Sequence, residues 1–192
     1  MVLRDTTEVQ ASPAAVFQFF EDMDSHYLQW HPDHKVFRWT RGKGLSLGNS
    51  FYFEEVIAGK LLKKSVVFTR IEPGRHIEFA PTFWLMRLFL PRLVFRLEPV
   101  TEGLYRFIAE IYLRAGPLAA RLNKREFDAV REHMRVEGVN LKRIVENQSE
   151  VSSAQPTPNP TLKRTSNSKA RDARWFIMCV AGLAVSGRLA PR

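Results

Sequence analysis

The sequence predicts an α+β fold in which a curved antiparallel sheet wraps a long C-terminal helix and encloses a cavity for a small molecule. Three observations carry this reading. A short strand runs straight into a capped helix near the N-terminus, strand-like segments separated by turn signals fill the middle of the chain, and an apolar stripe of helical period closes it. A helix with one apolar face beside a run of short-linked strands has to bury that face on the sheet. The chain has 192 residues, 45% hydrophobic and 26% charged, which suits one globular domain with some chain left over.

Residues 6–11 read as the first strand, because Val9 and Ala11 alternate with polar neighbours. Ser12 then offers an N-cap oxygen, and Pro13 fits the first helical position, where its missing N–H costs nothing. Val16, Phe17, Phe19 and Phe20 form the buried side of this helix. Residues 24–34, rich in aromatics and histidine and containing Pro32, read as a short helix breaking into a loop. Strands follow at 51–57, 62–71, 76–79, 93–98 and 104–113, with Pro73-Gly74 and Glu102-Gly103 as turns. Their short connections favour consecutive antiparallel pairing. The proline-bracketed stretch 81–91, loaded with Phe83, Trp84, Leu85, Leu88, Phe89 and Leu90, is expected to pack as a core strand or helical turn; the alternative is a hydrophobic lip at the cavity mouth. Gly116-Pro117 opens the last helix, which runs through Leu118, Leu122, Val130, His133, Glu137, Leu141 and Ile144 at spacings of mostly three and four. A strand, short helices, a meander and one long terminal helix together describe a helix-grip arrangement.

The domain is expected to span residues 1–147, followed by a disordered basic tail, 148–192, of Pro/Ser/Thr/Asn-rich composition. The apolar run at 175–185 is too short for a membrane span, which needs about 20 residues. The formal net charge of +9 does not point to nucleic acid, because more than half of it lies in the tail and no basic patch interleaves with aromatics at a nucleic-acid-motif spacing. Cys179 is the only cysteine, so no internal disulfide or multi-cysteine zinc cluster forms. Together with an N-terminus that lacks a signal-peptide core, this leads us to expect a cytoplasmic protein. Nothing in the sequence sets the oligomeric state.

Three separated features carry chemistry. His133 and Glu137 lie four apart, so they leave one face of the terminal helix a turn apart, as two ligands of one metal must. That face is also the apolar one, and a carboxylate buried there costs several kcal/mol unless it is paired. In the strand 51–57, Phe51, Phe53, Glu55 and Ile57 share the more apolar side, which sends Glu55 inward and Glu54 outward; a bulge would exchange the two. The third feature is Trp30-His31-Pro32-Asp33-His34, preceded by His26 and Tyr27. One histidine of this segment, His34 in preference to His31, completes a site with Glu55, His133 and Glu137. Two histidines with two carboxylates suit Zn²⁺ and also accept Mn²⁺ or Fe²⁺.

These three motifs resemble those of the 2,4-diacetylphloroglucinol hydrolase family, within the START/Bet v 1-like (polyketide cyclase) superfamily. The resemblance covers roughly residues 24–144. It implies a helix-grip domain that holds zinc through His34, Glu55, His133 and Glu137 and cleaves the carbon–carbon bond between an acyl group and a phenolic ring. Tyr27 or His31 would supply the proton taken up by the departing ring. The competing expectation is a non-catalytic module whose cavity holds a lipid or small hydrophobic metabolite; inward carboxylates argue against a purely apolar pocket. No nucleophile-elbow or phosphate-cradling glycine motif is present.

Overall fold

The computed structural model describes residues 1–154. Strand β1 (Val2–Val9) leads into helices α1 (Pro13–Glu21) and α2 (Met23–Trp30). Strands β2 (His34–Arg41), β3 (Ser50–Ile57), β4 (Lys60–Glu72), β5 (His76–Pro81), β6 (Arg92–Thr101) and β7 (Leu104–Tyr112) follow, and helices α3 (Pro117–Leu122) and α4 (Lys124–Ala154) close the described chain. All seven strands join one antiparallel sheet in the order β1-β7-β6-β5-β4-β3-β2. The meander β2 to β7 pairs neighbour with neighbour, and β1 closes the far edge on β7. This is the helix-grip fold: the sheet curls around α4, and α1 and α2 connect its two edge strands.

The local signals behave as their chemistry requires. The Ser12 hydroxyl accepts the Ala15 N–H at 3.2 Å, and α1 buries Val16, Phe19 and Phe20. The β3–β4 hairpin turns on Ala58 and Gly59, both at positive φ (52° and 75°), which matches the right-handed twist of the two strands. The core under α4 is aromatic, built on Phe19, Phe51, Phe53, Phe79, Phe95 and Phe107. From the helix it receives Met134, Leu141 and Val145. Gly138 is where α4 comes closest to the sheet: a Cβ there would stand 2.3 Å from Thr7 Oγ1 and 3.0 Å from Asp5 Oδ2.

Several expectations need correction. Residues 34–41 form a strand, β2, that the sequence reading did not assign. The last helix is two helices, broken at Asn123, and Leu118 and Leu122 are exposed rather than on its buried face. The 81–91 stretch is not core: it holds one 3-10 turn at Met86–Leu88 and leaves Phe83, Trp84, Leu85, Leu88 and Phe89 exposed. Helix α4 continues past residue 147 to Ala154, whereas the remainder of the expected tail, including the apolar run, lies outside the described residues.

Candidate metal centre

The site is assembled by β2, β3, β4 and α4. Glu55 lies on the concave side of β3 with Phe51, Phe53 and Ile57, all buried, whereas Glu54 faces the other way, where it pairs with Tyr52 and Lys63. His34 pairs directly with Glu55 in the ladder, so both side chains leave the sheet on the same face. Regular alternation back from inward Phe37 would put His34 outside. A register shift between His34 and Val36 inserts Lys35 as an extra residue and turns His34 inward. The bulge foreseen as a risk for β3 therefore occurs in β2, where it completes the site.

His133 and Glu137 reach the same point from α4. The histidine Nε2 atoms are 3.3 Å apart. Glu137 Oε1 lies 3.1 Å from His34 Nε2 and 3.7 Å from His133 Nε2. Glu55 Oε2 lies 4.0 Å from the first histidine and 3.8 Å from the second. Donor atoms of all four residues fall within 4.8 Å of one another, and His31, His34 and His133 form an overlapping set by the same measure.

The hydrogen bonds around the cluster define what it presents. His34 Nδ1 is 2.8 Å from the Tyr27 carbonyl oxygen. A carbonyl accepts only from a nitrogen that carries hydrogen, so the neutral ring keeps its proton on Nδ1 and turns the Nε2 lone pair inward. That lone pair faces the Glu137 carboxylate, an acceptor with which it shares no hydrogen, and lies beside the His133 Nε2; a shared cation would reconcile the lone pairs. Tetrahedral zinc, with bonds of about 2.0–2.2 Å to nitrogen and oxygen, would set its ligand atoms about 3.3 Å apart. The observed separations of 3.1 to 4.0 Å need shifts of well under 1 Å to match. The donor set therefore fits such an ion.

Surrounding groups hold the four side chains in place. The Tyr27 ring stacks on His34 with centroids 3.9 Å apart, and His31 stacks on His133 at 3.8 Å. Trp30 Nε1 donates to the Glu137 carbonyl at 2.9 Å, and Asn140 Nδ2 donates to the Trp30 carbonyl at 2.9 Å, tying α2 to α4 across the site. Lys64, inward on β4, forms an ion pair with Glu55 Oε1 and leaves Oε2 toward the histidines. Burial alone would raise the Glu55 carboxyl, but the Lys64 ammonium, helped by His133 and His34, holds it below the ordinary carboxylate value. Burial pushes both His133 and His31 down, His133 despite the nearby carboxylates of Glu137 and Glu55.

Lys64 is the residue of this cluster that sequence reasoning missed. Its signal was the phase of β4: counting back from buried Phe68 and Val66 in steps of two reaches Lys64. Of the expected proton donors, Tyr27 lines the cavity, with its hydroxyl donating to the Glu54 carbonyl at 3.3 Å. Burial, followed by the carboxylates of Glu55, Glu137 and Glu54, pushes that phenol far up, so it stays protonated. His31 is not part of the cavity wall; its Nδ1 accepts the Asp33 N–H at 3.0 Å, which places the neutral ring's proton on Nε2.

Glu55, Lys64, His133 and Glu137 form the polar corner of an otherwise aromatic cavity of about 90 Å³, with Phe51, Phe53, Phe79 and Phe95 on the sheet side and Val130 and Met134 on the helix side; His34 lies behind that corner, fully buried and outside the cavity wall. No protein-family model and no curated relative matches this chain. Solved structures do. The protein TTHA0849 from Thermus thermophilus superposes with a TM-score of 0.61 at 12% identity, covering 78% of this chain and 99% of that one. The ZhuI aromatase/cyclase from Streptomyces sp. R1128 gives 0.60 at 12% identity over 79% and 97% of the two chains. Ara h 8.0201 gives 0.55 at 14% identity over 77% and 98%. These likenesses establish the START/Bet v 1-like helix-grip fold.

Proposed function

We propose that this chain is a divalent-metal-dependent hydrolase, most simply a zinc enzyme, that cleaves the bond between an acyl group and the aromatic ring of a small ketone held in the cavity. The observation that carries the proposal is the convergence of His34 and His133 Nε2 with carboxylate oxygens of Glu55 and Glu137, of which His133, Glu55 and Glu137 line an apolar chamber. Those four residues would hold the ion, which when bound supplies Lewis acidity toward water and toward a carbonyl oxygen. The rest is the work of the chain itself. The Tyr27 carbonyl and ring fix the tautomer and plane of His34, and Lys64 neutralises the outer oxygen of Glu55. Phe51, Phe53, Phe79 and Phe95 give an aromatic substrate flat surfaces to lie against and exclude bulk water. Water adds to the acyl carbon, and as the acyl–ring bond breaks the acyl group leaves as a carboxylic acid while the electron pair stays on the ring carbon, which takes up a proton. We assign that proton to Tyr27, which lines the cavity and whose hydroxyl donates only to the Glu54 carbonyl, at 3.3 Å; the phenol recovers its proton from the acid formed. His31 is assigned to positioning His133.

A second reading is supported by the apolar lining and by the fold shared with a structure described as an aromatase/cyclase: a binding or cyclase-like role for an aromatic ligand, without metal. Elemental analysis of protein purified without a histidine tag separates the two. The hydrolase reading expects about one equivalent of zinc, manganese or iron per chain, lost in the His133→Ala/Glu137→Ala variant while the sheet stays folded. Metal-free protein that takes up none of these ions on titration sinks it in favour of the second reading.

A further inference from the structure

We propose that the β5–β6 connection and α3 together form a docking surface for an anionic lipid bilayer. The connection presents Phe83, Trp84, Leu88 and Phe89 to solvent, with Trp84 67% exposed, and α3 presents Leu118 and Leu122 at 71% and 74%. The two segments are joined: the Arg114 N–H donates to the Phe89 carbonyl at 2.8 Å, just before α3 begins. Side chains of this size do not stay in water across two adjoining segments unless something covers them.

The charges around the surface identify its partner. No acidic residue occurs between positions 79 and 97 or between 111 and 125, while Arg87, Arg92, Arg114, Arg121, Lys124 and Arg125 fall in those stretches. Several exposed cations elsewhere pair with local carboxylates, as Lys43 does with Asp24, Arg106 with Glu8 and Arg135 with Glu132, and within these stretches Arg92 pairs with Glu78 and Lys124 with Asp128. Among the described residues, Arg114, Arg121 and Arg125 have no ion pair. A second copy meeting this surface across a two-fold axis would set like charges against each other, which disfavours self-association. Exposed aromatic and leucine side chains flanked by arginines match the layered chemistry of a bilayer interface, apolar below and anionic above. The surface also sits at the cavity: the last pair of the β6–β7 ladder, Arg92 and Tyr112, is followed one step inward by Leu93 and Ile111, which line the chamber. An apolar ligand dissolved in the membrane would thus meet the protein beside its binding site.

Co-sedimentation of the full chain with vesicles of phosphatidylcholine, with and without phosphatidylserine, tests the proposal. Wild-type protein is expected to partition onto the phosphatidylserine vesicles, and more weakly as salt rises. Trp84→Ser/Phe89→Ser and Arg114→Gln/Arg121→Gln should each reduce partitioning about tenfold or more. Melting temperature and metal content, measured on the same samples, should not change, which separates this test from the fate of the hydrolase reading. Absence of wild-type binding overturns the proposal, as does unchanged binding by both variants, which would locate the attraction elsewhere in the chain. A concentration-dependent dimer that Trp84→Ser/Phe89→Ser dissolves would overturn it too, by assigning the surface to a second copy.

Discussion

His34 shows how finely the site is set at the scale of single residues. One extra residue in β2 decides whether its imidazole faces the cluster or solvent, and one backbone carbonyl, that of Tyr27, decides which ring nitrogen carries the lone pair. Glu55 and Glu54 form the matching contrast on β3. They are adjacent in sequence and both have a lysine partner, yet only Glu55 has an oxygen within 4.0 Å of the histidines. Glu55→Gln should therefore weaken metal binding by at least about tenfold, in the range expected for loss of a ligand charge, while Glu54→Gln leaves it within about twofold. Zinc titration of the two proteins checks this, and the reverse ranking would mean that the ligand set is misassigned.

At the scale of elements, α4 carries both the site and the closure of the fold, and the two depend on its distance from β1. Gly138 lies one residue after Glu137 of the cluster and permits that approach, since Thr7 Oγ1 occupies the space a Cβ would need. In an exposed helix, Gly→Ala gains about 1 kcal/mol. Here we expect Gly138→Ala to destabilise the protein instead, by about 1–3 kcal/mol, the usual cost of overpacking. Thr7→Ser would not relieve the contact, because the clashing atom is the hydroxyl; Thr7→Ala should restore part of the loss. Chemical denaturation of the single and double variants measures this coupling. A stabilised Gly138→Ala protein would show that α4 has room to move away from the sheet.

Across the protein as a whole, the buried titratable groups make stability depend on pH. His31, His76 and His133 are all held below the ordinary histidine value of 6.5, in each case first by burial. Such groups bind more protons unfolded than folded, so their contribution is present above that value and is withdrawn as pH falls below it. Glu55, held below its ordinary 4.5, adds a loss of the same sign at lower pH, while the raised Asp5 carboxyl works in the opposite direction. In the presence of a chelator, the melting temperature should fall as pH drops from neutral through about 6.5 to 5. His133→Gln should flatten part of that slope. A profile level across the range would be evidence against buried neutral histidines.

The architecture and most of the residues of the clustered His/Glu site were legible in local sequence pattern alone. Period-two alternation in residues 51–57 and the His-xxx-Glu spacing on a helix each depend only on local geometry, so Glu55, His133 and Glu137 could be picked out before any tertiary contact was known. The N-cap at Ser12 and most of the meander were legible for the same reason. Tertiary contacts set what local periodicity does not encode. The existence of β2 and the bulge that turns His34 inward arise from pairing with β3, because an edge segment of mixed polarity such as residues 34–41 becomes a strand only when a partner satisfies its backbone. The outward placement of the 83–89 segment, Leu118 and Leu122 was settled the same way: apolar side chains mark what can be buried, but which of them find room in the core depends on how completely the sheet and α4 have already filled it.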